Sequence, residues 1–238
     1  MRPDQVVLVC GTGTEVGKTW VCTQLLHEVR SRSLQVAARK PAQSFDVDSR
    51  GASLGGPTDA QVLAAASGED PGEVCRPHRS YHRAMAPPMA ADALGLPPFT
   101  IAELVAELAW PDRRVHLGLV ETAGGVRSPQ ASDGDTIDLV TALRPDLVVL
   151  VADAGLGTIN AVRLSLDALL PAVDGSQTAP AAGGDRRPTP VAVVLDRFQE
   201  LDEIHRRNLE WLASSADVEI FTIPGQEASL GDFVLIHR

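Results

Sequence analysis

The chain has 238 residues, 44% hydrophobic and 22% charged, enough for a large apolar core without disulfide or metal staples. Its formal charge of −10 and 4% aromatic content argue against nucleic-acid and membrane partners, since an acidic surface repels phosphate and offers little base stacking. Three cysteines with no CxxC pair suit a reducing compartment, and no apolar run approaches the ~20 residues of a membrane span, so a cytoplasmic protein is expected.

In chain order, residues 5–10 (QVVLVC) read as the first strand; the apolar run is too short for a signal peptide. GTGTEVGKT follows at 11–19 and leads into an apolar-patterned helix at 18–31. Gly11, Gly13 and Gly17 let the backbone approach an anion, so that successive N–H groups can point at phosphate oxygens. The dipole of a helix beginning at Lys18 adds about 0.3–1 kcal/mol. Lys18 is suited to neutralise β and γ oxygens, and the Thr19 hydroxyl to ligand Mg2+. Five residues separate Gly11 from Gly17, one more than in the common phosphate loop, which points to a subclass with a longer loop.

A second strand at 34–39 ends at Lys40, and Pro41 forces a turn. Facing a phosphate site, Lys40 reads as a charge stabiliser for a transferring phosphoryl group; the alternative is an ordinary surface lysine. Asp59 opens a helix at 59–66, either as a first-turn acid or as a Mg2+ ligand. Cys75, His78 and His82 in CRPHRSYH have no fourth metal ligand nearby, and Pro77 interrupts their alignment, so a surface loop is the favoured reading over zinc.

A helix at 101–109 precedes a third strand at 115–120, and Glu121 stands at its tip. A carboxylate on a buried strand needs a cation, which Mg2+ would supply, and Gly124 and Gly125 would admit a γ-phosphate or a substrate. After a helix at 137–143 and a strand at 146–152, Gly155 and Gly157 precede a helix at 159–170. Its free N–H groups form a second anion site or simply start a helix. SQTAPAAGGDRRPTP, residues 176–190, reads as a mobile surface insertion. A strand at 191–195, a helix at 202–213 and a strand at 218–223 complete the alternation. This pattern predicts an α/β fold in one domain over 1–238: a mostly parallel sheet with helices on both faces and ligands beyond the strands' carboxyl ends.

Taken together, GTGTEVGKT, the Lys-Pro turn with Ser44, Asp59-Ala60, MAPPMAA at 85–91, Glu121 with AGG, and LGTIN at 156–160 resemble the dethiobiotin synthetase family. The longer glycine spacing is also that family's form. Partition and division-site ATPases share the fold but carry a second lysine early in the loop, in the region where Gly13 stands here.

The resemblance implies a P-loop NTPase-like ligase that uses ATP and Mg2+ to carboxylate 7,8-diaminononanoate with CO2. Ring closure then runs through a carbamate and a carbamic-phosphoric anhydride. It further implies that Glu15, Val16, Gly17, Lys18, Thr19 and Trp20 contact the nucleotide, that Thr19, Asp59 and Glu121 hold Mg2+, and that Lys18 and Lys40 flank the transferring group. Thr14, Ser44 and Gly124 would contact the carbamate end. Thr158, Ile159 and Asn160 would bind the diamine's carboxylate tail across a homodimer interface. Asp196, Pro224, Gly225 and Gln226 would face the base.

Three positions depart from the family pattern. Thr122 replaces a usual glycine, Phe45 replaces another, and Asp196 replaces an asparagine. The first two crowd the acceptor pocket. An ionised Asp196 only accepts hydrogen bonds, so weak base discrimination is expected, with GTP or CTP comparable to ATP; the alternative is that Asp196 turns away, toward Arg197, and reads nothing. A related ligase with another acceptor and a non-enzymatic nucleotide switch are the alternatives.

Overall fold

The computed structural model describes residues 1–49, 51–174 and 188–237. The first half of the chain forms β1 (Gln5–Gly11), α1 (Lys18–Ser31), β2 (Val36–Arg39), β3 (Gln43–Ser44), α2 (Asp59–Ser67), α3 (Pro71–Val74), β4 (Ser80–Tyr81), α4 (Pro87–Ala93) and α5 (Ile101–Ala106). Then come β5 (Leu117–Glu121), β6 (Pro129–Ala131), β7 (Gly134–Asp135), α6 (Thr136–Leu143), β8 (Leu147–Asp153) and α7 (Thr158–Val173). The last elements are β9 (Val191–Asp196), α8 (Glu203–Ser215), β10 (Glu219–Thr222) and α9 (Glu227–Ile236).

Six parallel strands pair in the order β10-β9-β8-β1-β5-β2. β1 is central and buried along its whole length because both its faces are apolar. Val6, Leu8 and Cys10 point into a core shared with α5, α6 and α7, while Val7 and Val9 point into one shared with α1, α2 and α9. That two-sided burial is why the strands read as continuous apolar runs. The chain leaves β1 for β2 on one side and later reaches β8 on the other, so the strand order reverses at β1, where open α/β sheets form their ligand crevice.

The helices at 59–66, 137–143, 159–170 and 202–213 each differ from the observed elements by a few residues at most. At 202–213 the first residue is a cap: the Asp202 carboxylate accepts from the Ile204 and His205 N–H groups. The helix predicted over 101–109 ends at Ala106, and the freed Ala109 carbonyl accepts from Arg39 Nε at 2.6 Å. The short helix α4 begins at two prolines, which the first turn tolerates. Helix α9 has no counterpart in the sequence pattern, because Gly231 lowers its helical propensity. That glycine is a packing residue: a Cβ there would lie 2.7 Å from Glu28 Cγ on α1.

Of the expected insertion at 176–190, residues 176–187 lie outside the described residues. Residues 188–190 lead into β9, with the Pro190 carbonyl accepting from Val148 N–H at 3.0 Å. Among the described residues, no helix is long and apolar enough to cross a membrane.

Candidate active site

The loop after β1 is shaped by its glycines. Gly17 caps α1 with φ 93° and brings no side-chain acceptor, so the first helical N–H groups are left for an anion. A Cβ on Gly11 would sit 2.9 Å from Val16 Cγ2 and 3.0 Å from Lys18 Cδ, so only glycine lets the loop fold over itself. Lys18 is buried and donates to the Gly13 carbonyl at 2.8 Å, curling back across the loop. Burial and then the charge on Lys40 hold its pKa below the usual lysine range.

The tips of β2 and β5 and the start of α2 deliver a charged cluster beside this loop. Thr58 and Gln61 form a capping box on α2, so Asp59 is not needed as the cap and is the first helical residue. Its carboxylate lies 2.8 Å from Lys40 Nζ and 2.9 Å from Thr19 Oγ1. Glu121, fully buried, lies 2.6 Å from Lys40 Nζ and 2.9 Å from the same Thr19 hydroxyl. Lys40 also donates to the Thr122 carbonyl at 3.2 Å, so it is not the surface lysine of the alternative reading. Burial pulls its pKa down, but Glu121 and Asp59 more than offset this and hold the ammonium above the usual lysine range. Lys40 in turn holds the Asp59 carboxyl below the usual carboxylate range.

These residues fit a hard divalent cation. Thr19, Asp59 and Glu121 offer converging oxygens, and Glu121 Oε2 is buried with no hydrogen-bond partner. Among the described residues no group of three or more His, Cys, Asp or Glu could hold a metal, so a cation here would draw further oxygens from phosphates and water. Cys75, expected in a surface loop, is buried. His78 pairs with Glu107 at 3.1 Å, and the His82 ring meets Phe45 at 5.2 Å.

The cluster opens into a cleft of about 950 Å³. Thr14, Glu15, Gly17, Lys18, Thr19 and Trp20 line its phosphate-loop side, and Ser44, Phe45, Met85 and Gly124 line the other. This geometry can hold a polyphosphate next to a second small molecule. The family model described as an AAA domain matches residues 5–173. The ATP-dependent dethiobiotin synthetase BioD of Corynebacterium efficiens is 34% identical over 201 residues, 84% of this chain and 85% of that one. The same enzyme of Rhodococcus jostii is 39% identical over 166 residues, 69% of this chain and 67% of its own.

This chain belongs to the dethiobiotin synthetase family. At the level of fold alone, a plasmid partition protein of Borrelia burgdorferi superposes with a TM-score of 0.54 at 12% identity, over 99% of this chain and 97% of its own. The fold is the P-loop NTPase-like one expected from the sequence.

Other candidate residues lie apart from the synthetase-family cleft. Asp196 is 2% exposed and packs on the phosphate loop: a Cβ on Gly17 would meet its Oδ2 at 1.8 Å. Pro224, Gly225 and Gln226 line a separate pocket of about 650 Å³ with Phe198 and Arg206. Gln226 Oε1 accepts from the Thr222 N–H at 2.9 Å. Thr158 starts α7 after Gly157, its hydroxyl buried without a partner. Ile159 packs on the core, and Asn160 is exposed. Thr122 is fully buried below the cleft rather than on its wall.

Sequence reasoning missed two buried glutamines. Gln43 accepts from Ala60 N–H at 3.0 Å and donates to Ser80 Oγ, fixing the start of α2 and so Asp59. Gln130 grips both the N–H and the carbonyl of Ala123, holding the loop that carries Gly124. Neither stands in a recognisable local pattern.

Proposed function

We propose that the chain closes the ureido ring of dethiobiotin from 7,8-diaminononanoate, CO2 and ATP. The carrying observation is the meeting of Lys18, Thr19, Lys40, Asp59 and Glu121 in one cleft of a dethiobiotin synthetase family member. One amine nitrogen bonds to CO2 and loses a proton, giving a carbamate. A carbamate oxygen attacks the γ-phosphorus, and ADP leaves. The neighbouring amine then attacks the carbonyl carbon of the mixed anhydride, closing the ring and releasing phosphate.

Both reactants are anionic at the transfer step, so the chain's task is to hold them in line and spread the developing charge. Lys18 and Lys40 supply fixed positive charge on either side of the transferring group. Thr19, Asp59 and Glu121 would hold Mg2+, which when bound offsets charge on the β and γ oxygens. Thr14, Ser44 and Gly124 orient the carbamate end. Thr158, Ile159 and Asn160 receive the diamine's carboxylate from a second subunit of a cytoplasmic homodimer. Exposed Leu156 and Leu164, 92% and 62% accessible, are consistent with a partner at this helix. Asp196, packed under Gly17, offers no amide donor to a base, so GTP and CTP should serve comparably with ATP.

Incubation with ATP, Mg2+, bicarbonate and diaminononanoate should give the cyclic urea by mass spectrometry. Phosphate release without that product would overturn the assignment. Phe45 on the cleft wall favours one alternative, a ligase of the same chemistry with another acceptor. Phe45→Gly should then change the acceptor's KM several-fold and leave that of ATP within about twofold.

A further inference from the structure

Arg197 follows β9 and lines the cleft opposite the charged cluster. Its Nη2 donates to the Glu15 carbonyl at 2.8 Å, and its Nη1 lies 3.1 Å from Asp153 Oδ2. Its Nε lies 3.8 Å from Asp196 Oδ2, the oxygen packed on Gly17. Glu15 and Arg197 are non-glycine residues in the left-handed region, at φ 60° and φ 57°. Such backbones are strained and persist only where their surroundings hold them. Here one hydrogen bond joins the two.

Asp153 is itself fixed, its Oδ1 accepting from Gly155 N–H at 2.8 Å at the β8 tip. The ion pair is about half exposed and so contributes little on its own. Its value is geometric: a planar fork anchored at β8 reaches across to the turn at Glu15, two residues before the cap of α1.

We infer that Arg197 is a positioning residue of the nucleotide site. It holds the Glu15 turn so that the loop's N–H groups stay aimed at phosphate oxygens. This rests on the nucleotide-binding reading above. The loop's glycines let it approach an anion, but that same freedom lets it leave the binding shape, and Arg197 restrains it from outside the loop.

Calorimetric titration of ADP with Mg2+ into wild-type protein, Arg197→Ala and Arg197→Lys tests this. Arg197→Ala should bind about tenfold more weakly, the scale of one charge-assisted hydrogen bond, with an unchanged melting temperature. In turnover, KM for ATP should rise while kcat and the acceptor's KM hold. Arg197→Lys should stay close to Arg197→Ala, because a compact ammonium keeps the charge but not the fork. If Arg197→Ala melts early, Asp153→Asn carries the test, since it weakens the anchor and keeps an acceptor for Gly155; weaker ADP binding supports the role, and unchanged binding overturns it. A wild type that takes up no ADP sinks the nucleotide reading itself. Wild-type binding matched by Arg197→Ala or by Arg197→Lys overturns only the positioning role.

Discussion

The carboxyl edge of the sheet has two halves that solve the same problem differently. At the tips of β1, β2 and β5, the charged side chains already touch: Lys40 bridges Asp59 and Glu121, and Thr19 meets both carboxylates. At the tips of β8, β9 and β10, the exposed Arg197 lies 3.1 Å from Asp153 Oδ2 and 3.8 Å from Asp196 Oδ2, and the other polar side chains turn to nearby backbone or find no partner. Asp153 accepts from Gly155 N–H and Gln226 from Thr222 N–H, while Asp196 Oδ1 and Thr158 Oγ1 are unpaired. Buried charges must be neutralised for the chain to fold, so the first half is assembled by folding itself. The second half carries fewer buried charges and is shaped mainly by main-chain hydrogen bonds.

Substitutions in the first half should therefore cost far more. Lys18→Ala should lower kcat/KM for ATP by more than about 100-fold, since a fixed charge facing the phosphates is gone. Activity near wild type would remove Lys18 from the site. Lys40→Ala removes the cation bonded to buried Glu121, which should cost about 3–5 kcal/mol of stability in a urea melt, partly restored by Mg2+. Its kcat should fall much more than its nucleotide affinity, and normal turnover would make Lys40 a purely structural partner. Glu121→Gln should shift the Mg2+ dependence of turnover about tenfold upward with an unchanged circular dichroism spectrum. An unmoved titration would make Glu121 a structural carboxylate and shrink the contrast.

The smallest effect should come from the other half. Burial raises the Asp196 pKa, with Arg197 opposing. The folded carboxyl therefore keeps its proton to higher pH than the unfolded one, and the penalty for the buried charge is complete only above that raised value. Asp196→Asn should thus gain on the order of 1 kcal/mol near neutral pH, and the gain should vanish as pH falls below the ordinary aspartate range. Thermal melts at pH 3 and pH 8 check it. A loss of stability at pH 8 would mean the carboxylate makes a favourable contact with the loop.

The same division explains what the sequence made legible. Apolar runs such as QVVLVCG and LVVLVAD announce strands buried on both faces, and all six sheet strands were anticipated within a few residues. GTGTEVGKT and the strand-tip residues Lys40 and Glu121 were legible because a charge at the end of an apolar strand needs a partner. Gln43, Gln130 and Arg197 were not: the Gln43 and Arg197 contacts span 17 and 182 residues, and although Gln130 reaches only seven, to Ala123, no local pattern marks a glutamine as a loop clamp. Helix α9 was hidden by Gly231, whose purpose is visible only against α1.

The central place of β1 carries a kinetic consequence. It is laddered on both sides, Val9 opposite Glu121 in β5 and Gly11 opposite Val151 in β8. Its amides can exchange with solvent only when the whole sheet opens, whereas the outer strands β2 and β10 have one unpaired edge each. The phosphate loop therefore hangs from one of the inner strands, paired along both edges, rather than from an outer one. Breathing motions that admit a nucleotide and let products leave must belong to the loops over the cleft, on timescales decoupled from unfolding.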